Sequence, residues 1–249
     1  MDINIFLKLK SGEYKENVAF EEIFALYQFD KNLKIIFLKY ILEFELIIKS
    51  KIANLFTEKY GINDYLKADN FDLNHKTKHL IDILVETIRQ EINNSYTKHS
   101  AIEHYFKKYG FVPLYVGIKI MTLGLVSRFY GLMKQSDRQQ ISKSFGISDS
   151  LLKQILVNIT SIRNICAHSD RLFCYRSKFY ISAKKVDANH NRKENVTNLY
   201  IIIKSMEFIM EKEKYEMFKK ELNAEIKILK KQLKSINIDD VLKVMGFRV

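Results

Sequence analysis

The residues best equipped for chemistry stand in one short run, Arg163-Asn164-Ile165-Cys166-Ala167-His168. Histidine passes protons near neutral pH. Arginine keeps its charge and grips a phosphate with two parallel donors. Asparagine can orient an imidazole or hold a phosphate oxygen. Such a trio suits cleavage of a phosphodiester with the RNA 2′-hydroxyl as nucleophile. The same residues also suit the end of a surface helix, where cations interact well with the exposed carbonyls. Spacing alone does not choose between the two.

The element that carries the run is predicted from its periodicity. Ser148 is placed to cap a helix, and about 100° per residue puts Leu152, Ile155, Ile159, Ile162 and Cys166 on one stripe. Val157, Ser161, Asn164 and His168 fall on the opposite side, with Asn164 and His168 one turn apart. Arg163 lies about 140° round from His168. The polar group therefore points away from the helix's own core, toward solvent, other helices or a second copy of the chain.

The rest of the chain reads as all-α. Apolar periodicity is helical nearly throughout. One Pro and eight Gly in 249 residues leave few breakers. A short helix is expected over Phe20–Phe29. Asp30 then caps a long one that ends at Gly61, whose apolar positions include Ile35, Leu38, Leu42, Leu46, Ile52 and Leu55. Helices follow over His75–Tyr96, from Ser100 to Gly110, over Leu114–Met133, and from a cap at Ser136 or Asp137 to Gly146. Gly117, Gly124 and Gly131 recur every seven residues on one predicted helix, which implies close approach by a neighbour, as core packing or as a ligand groove. Phe179–Ala183 has the residue types of a short strand. Helix returns over Asn195–Ser235 and Asp239–Met245. One domain over 1–249 is expected, with a core at about 17–173, a basic loop at 174–194 and C-terminal helices at 195–249.

Composition narrows the class further. The formal charge is +12, from 41 Lys and Arg against 29 Asp and Glu. It suits a polyanion such as RNA, although a Lys-rich compositional bias would also produce it. No apolar run is long enough to span a bilayer, and the first residues lack the pattern of a secretory signal. Two cysteines make no disulfide framework. A cytoplasmic protein with no membrane partner is expected. His75 and His79 have a zinc-compatible spacing but no third ligand in view, so no metal and no cofactor are called for. A basic stretch follows the run directly: Arg171, Arg176, Lys178, Lys184, Lys185, Arg192 and Lys193. Phe173, Tyr175, Phe179 and Tyr180 are interleaved, and Asp187 is its only acid. It reads either as a single-stranded RNA contact or as a solvated loop with core aromatics. The lysines of Lys212–Lys234 alternate with glutamates as on a solvated helix face.

Arg163-Asn164-Ile165-Cys166-Ala167-His168, followed by Arg171-Leu172-Phe173, resembles the signature of the AbiD/AbiF-like abortive-infection proteins of the HEPN superfamily. Phe29-Asp30-Lys31-Asn32-Leu33 resembles the family's FDRxL start. Glu43-Phe44-Glu45-Leu46 with Lys49, then Glu58-Lys59-Tyr60-Gly61, resembles its long second helix. Leu123-Gly124-Leu125-Val126-Ser127-Arg128-Phe129-Tyr130 resembles a further segment. Together these cover roughly Phe20–Phe173. Ser169-Asp170 and Phe173-Cys174 depart from the family's usual continuation, and the stretch before the FDRxL start is short.

The resemblance implies a HEPN-type helical bundle with a C-terminal helical extension. It makes Arg163 and His168 catalytic and Asn164 supporting, in a metal-independent endoribonuclease that leaves 2′,3′-cyclic phosphate and 5′-hydroxyl ends. It also implies a homodimer with a composite site, in an abortive-infection or toxin–antitoxin setting. Glu45 and Lys49 match a pair that some members place near the site, or form an i,i+4 surface ion pair. The alternatives are a non-catalytic module that binds a regulatory small RNA, itself able to neutralise a basic toxin, and a helical protein-interaction subunit.

Overall fold

The computed structural model describes residues 19–168, 170–187 and 197–248, with the backbone alone for Ala183 and Lys184. The helices are α1 (Phe20–Tyr60), α2 (Lys78–Ser95), α3 (Ser100–Tyr109), α4 (Leu114–Ile120), α5 (Leu123–Leu132), α6 (Gln135–Lys143), α7 (Asp149–Ala167), α8 (Ala183–Val186), α9 (Leu199–Ser205), α10 (Lys212–Gln232) and α11 (Ile238–Met245). The fold is all-α, as the periodicity predicts. Among the described residues, β pairing is confined to two isolated bridges, Phe71 with Met133 and Arg176 with Asn198. The strand expected from Phe179 does not form. The Ile181 N–H donates instead to Thr197 Oγ1 at 2.8 Å, and the Phe179 N–H to Ser177 Oγ at 2.9 Å. Local side-chain acceptors thus take the donors that a sheet ladder needs.

The chain gathers into two compact units, Met1–Leu42 with Ser161–Val249, and Glu43–Thr160. Both boundaries fall inside helices, α1 and α7.

In the first unit, α1 buries Leu26, Phe29, Leu33, Phe37 and Tyr40. Phe218 of α10 meets Phe37 and Tyr40 edge-on, with ring centroids 5.3 Å apart in each pair. Polar pairs tie the same helices: Lys39 and the Tyr40 hydroxyl both donate to Glu221 Oε1, at 2.6 and 2.9 Å, and Asn32 donates to Glu225 at 2.9 Å. The expected break at Asp30 is absent, and helix runs unbroken from Phe20 to Tyr60. No Gly or Pro interrupts this stretch, and the Asp30 carboxylate is engaged elsewhere. Of the apolar positions read from α1, Ile52 and Leu55 are buried, whereas Ile35, Leu42 and Leu46 are exposed.

In the second unit the centre is aromatic. Phe56, Phe71 and Phe129 are buried, with centroids 5.1–5.4 Å apart. Asp137, expected as a helix cap, is instead fully buried; it accepts the Tyr60 hydroxyl at 2.7 Å and pairs with Lys59. Lys134 occupies the cap position of α6. The predicted Leu114–Met133 helix is two helices, because Thr122 turns extended and its hydroxyl accepts the Leu125 N–H to start α5. The glycine stripe is thereby divided, yet each member meets a close neighbour. A Cβ on Gly117 would lie 3.3 Å from the Tyr65 hydroxyl, one on Gly124 3.4 Å from Thr160, and one on Gly131 3.2 Å from Lys153.

Glu22, which sequence reasoning did not single out, closes the C-terminal part onto α1. Its buried carboxylate accepts the backbone N–H groups of Lys234, Ser235 and Ile236 and the Ser235 hydroxyl. Burial alone would push this carboxyl up, but the four hydrogen bonds hold it down at about 2, below the ordinary 4.5. The stabilisation is complete above about pH 4.5 and is lost as the pH falls through about 2. Glu22→Gln should lower the urea unfolding free energy at pH 7 by about 2–3 kcal/mol. The gap to wild type should narrow as the pH falls from 4.5 toward 2; a gap independent of pH would contradict this assignment.

Candidate functional site

On helix α7 Leu152, Ile155, Ile159 and Ile162 are buried and Cys166 is half-buried, as the stripe predicts; of the opposite side Asn164 and His168 are exposed, whereas Val157 and Ser161 are half-buried. Ser148 accepts the Leu151 N–H at 3.3 Å and starts the helix. His168 stands one residue past its end. The His168 backbone N–H donates to the carbonyls of Asn164 (3.1 Å) and Ile165 (3.2 Å), which closes the last turn. Arg163 is half-buried, and its Nε is buried without an acceptor among the described residues. A buried donor in that state costs about 1–3 kcal/mol, and such groups call for an explanation in function or strain.

The segment after His168 is held by a residue 142 positions away in the chain. Asp30 Oδ1 accepts the N–H groups of both Leu172 and Phe173 at 2.8 Å. Its Oδ2 lies 3.1 Å from Lys34 Nζ, and that amine also donates to the Asp170 carbonyl at 3.1 Å. Asp30, Leu172 and Phe173 are all buried. Charge-assisted bonds of this kind are among the stronger ones in proteins. They join the Phe29–Leu33 segment to Arg171–Phe173, two of the stretches singled out in the sequence.

Beside this joint lies a pocket of about 290 Å³, lined by Tyr27, Lys31, Lys34, Ile35, Leu38, Cys166 and His168. None of these is acidic. Lys34 is engaged by Asp30, whereas Lys31 is exposed and meets no carboxylate among the described residues. Burial pushes the Cys166 thiol up to about 12, with Lys34 acting to lower it and Asp30 to raise it. It is therefore a neutral packing group rather than a nucleophile. Sequence reasoning missed Tyr27, Lys31 and Lys34. The signal was available: Lys31 stands inside the Phe29–Leu33 segment, and Tyr27, Lys31 and Lys34 recur at helical spacing.

The other predicted residues lie elsewhere. Glu45 and Lys49 belong to the second unit and pair at 2.7 Å. With side chains only 12% and 10% exposed, they form a buried pair rather than a surface one. Lys49 also donates to the Lys119 carbonyl at 3.5 Å, and Glu45 Oε2 is buried without a partner. In the basic stretch Arg176, Lys178 and Lys185 are exposed and Arg171 is half-buried. Phe179 and Tyr180 are exposed, whereas Phe173 belongs to the core. Arg192, Lys193 and the side chain of Lys184 lie outside the described residues. His75 precedes α2 rather than sharing it with His79. Among the described residues no three His, Cys, Asp or Glu side chains gather to hold a metal ion. No described helix is long and apolar enough to cross a membrane. A larger groove of about 340 Å³ in the second unit, between Leu80, Ile83, Leu132 and Val157 with Arg128 and Lys153, contains none of the predicted site residues.

Asp30→Ala leaves two buried N–H groups without their acceptor and the Lys34 amine without its carboxylate. It should destabilise the protein by about 3–5 kcal/mol and speed hydrogen exchange at the Leu172 and Phe173 amides. Unchanged protection of those amides would show that another contact holds the segment.

Comparisons with known proteins add the family. No curated protein and no solved structure matches the chain. A family model described as Abi-like protein matches residues 3–174. The match takes in Asp30, the Arg163–His168 run and Leu172–Phe173, so both sides of the Asp30 joint fall within it. The chain belongs to the Abi-like protein family, a family of abortive-infection proteins.

Proposed function

We propose that this protein is a metal-independent endoribonuclease of the HEPN type, acting on RNA in abortive infection, with a site completed by a second copy of the chain. The observation that carries the reading is the setting of His168. A proton-transferring imidazole is exposed at a pocket that also presents Lys31 and Lys34 and no acid. Cations beside an imidazole suit a phosphodiester better than a neutral or cationic substrate.

In this reading the 2′-oxygen attacks phosphorus while its proton passes to an imidazole. The bond from phosphorus to the 5′-oxygen breaks, and a proton is delivered to that leaving oxygen. The products are a 2′,3′-cyclic phosphate and a 5′-hydroxyl. His168 performs one transfer and the His168 of a second copy the other. Arg163 stabilises the charge that builds on the phosphorane oxygens, and Asn164 supports the imidazole. The exposed Asn164 and His168 face of α7 is where the second copy meets the first. Arg171, Arg176, Lys178 and Lys185 hold the RNA backbone. A small RNA held there would be the natural neutralising partner of a basic toxin.

The test is cleavage of end-labelled RNA with a chelator present. The wild type should cut. His168→Ala should fall by about 10²–10⁴-fold, and Arg163→Ala by about 10²–10³-fold, while both variants keep the fold. Equal cleavage by wild type and His168→Ala would overturn the assignment. Tight RNA binding without cleavage by any of the proteins would favour a non-catalytic RNA-binding module.

A further inference from the structure

Among the described residues, the first unit leaves one face of α1 aromatic and exposed. Phe20, Phe24, Tyr27, Lys31, Ile35 and Leu38 recur every three or four residues, which at about 100° each places them in a stripe about 80° wide. Phe24 is 51% exposed, Tyr27 59% and Ile35 58%. The opposite face, with Leu26, Phe29, Leu33 and Phe37, is buried and supplies the packing of the helix. The exposed rings are therefore not needed for the core. Phe24 and Tyr27 are stacked, with centroids 6.3 Å apart and planes inclined by 28°. Tyr27 and Lys31 also line the pocket that holds His168. The stripe contains no acid, and Lys31 within it has no carboxylate partner among the described residues.

We infer that Phe24 and Tyr27 form a base-stacking platform, and Lys31 a phosphate contact, for unpaired RNA entering the His168 pocket; the substrate class is single-stranded RNA. The identity of the polymer rests on the ribonuclease reading above. Every base has a π-face, so stacked rings bind single strands with little sequence preference. A duplex keeps those faces inside its own stack and cannot offer them. An aromatic stripe without a cation would equally suit a second copy of the chain. Lys31 in its middle, on a chain of net charge +12, makes the stripe complementary to a polyanion.

The test separates binding from cleavage by using His168→Ala as the background. Fluorescence anisotropy is recorded with a labelled single-stranded oligoribonucleotide and with the same strand annealed to its complement. The single strand should bind more tightly. Phe24→Ala and Tyr27→Ala should each weaken it by about 5- to 100-fold, and Tyr27→Phe should recover most of the loss. Lys31→Ala should reduce the slope of log affinity against log salt by about 0.7. Light scattering reports the oligomeric state of each variant. Unchanged affinity in both alanine variants, or equal affinity for duplex, would overturn the proposal. Conversion of a dimer to monomers by either variant would also overturn it, assigning the face to a second copy. Failure of the wild type to cleave RNA removes the ribonuclease reading alone, since ring-dependent single-strand binding in the His168→Ala background would still establish the platform.

Discussion

The arrangement around His168 depends on one buried carboxylate. Asp30 receives two backbone N–H groups from the segment beyond α7 and the amine of Lys34 from its own helix. Together with the burial of Leu172 and Phe173, these bonds fix the path of the chain beyond α7 back to α1. The same bonds set Lys34 against the Asp170 carbonyl and leave Lys31, one residue along, directed at the pocket. A chain of 142 residues separates the two sides of this joint. The loop-closure entropy of such a separation must be offset by strong contacts, and charge-assisted bonds in a buried setting are of that kind.

Helix α7 presents the candidate site residues beside this anchor. Its buried stripe fixes the rotation of the helix, and rotation decides that Asn164 and His168 face outward while Cys166 faces the packing side. Arg163 sits between the two, half-buried, with a donor that finds no acceptor among the described residues. An exposed histidine side chain with no hydrogen-bond partner among the described residues, beside a lysine likewise without a carboxylate there, is the kind of surplus that function accounts for better than stability does.

Much of this was legible in the sequence and some was not, for physical reasons. Helical periodicity, the ends at Gly61 and Gly110, the Ser148 cap and the two faces of α7 follow from local patterns that a few neighbouring residues determine. The partners of Asp30, Glu22 and Asp137 do not. Each was open to a local reading, as a cap or a solvated acid, yet each serves groups 77 or more positions away. Local rules are silent on such pairings. The apolar stripe of α1 misleads for a related reason: periodicity finds Ile35 and Leu42 but does not say which of two apolar faces meets the core. The strand expected at Phe179 does not form, and Thr197 and Ser177 accept the Ile181 and Phe179 N–H groups instead. Lys31 stands within the Phe29–Leu33 motif, but its place beside His168 follows only from the fold.

The most direct measurement of the central claim is the chemistry of the cut. RNA incubated with the wild-type protein and a chelator is analysed for its new ends, alongside the same strand with 2′-O-methyl groups throughout. The account predicts 2′,3′-cyclic phosphate and 5′-hydroxyl ends from the natural strand and no cleavage of the methylated one. Cleavage of the methylated strand, or 5′-phosphate ends from the natural one, would contradict it.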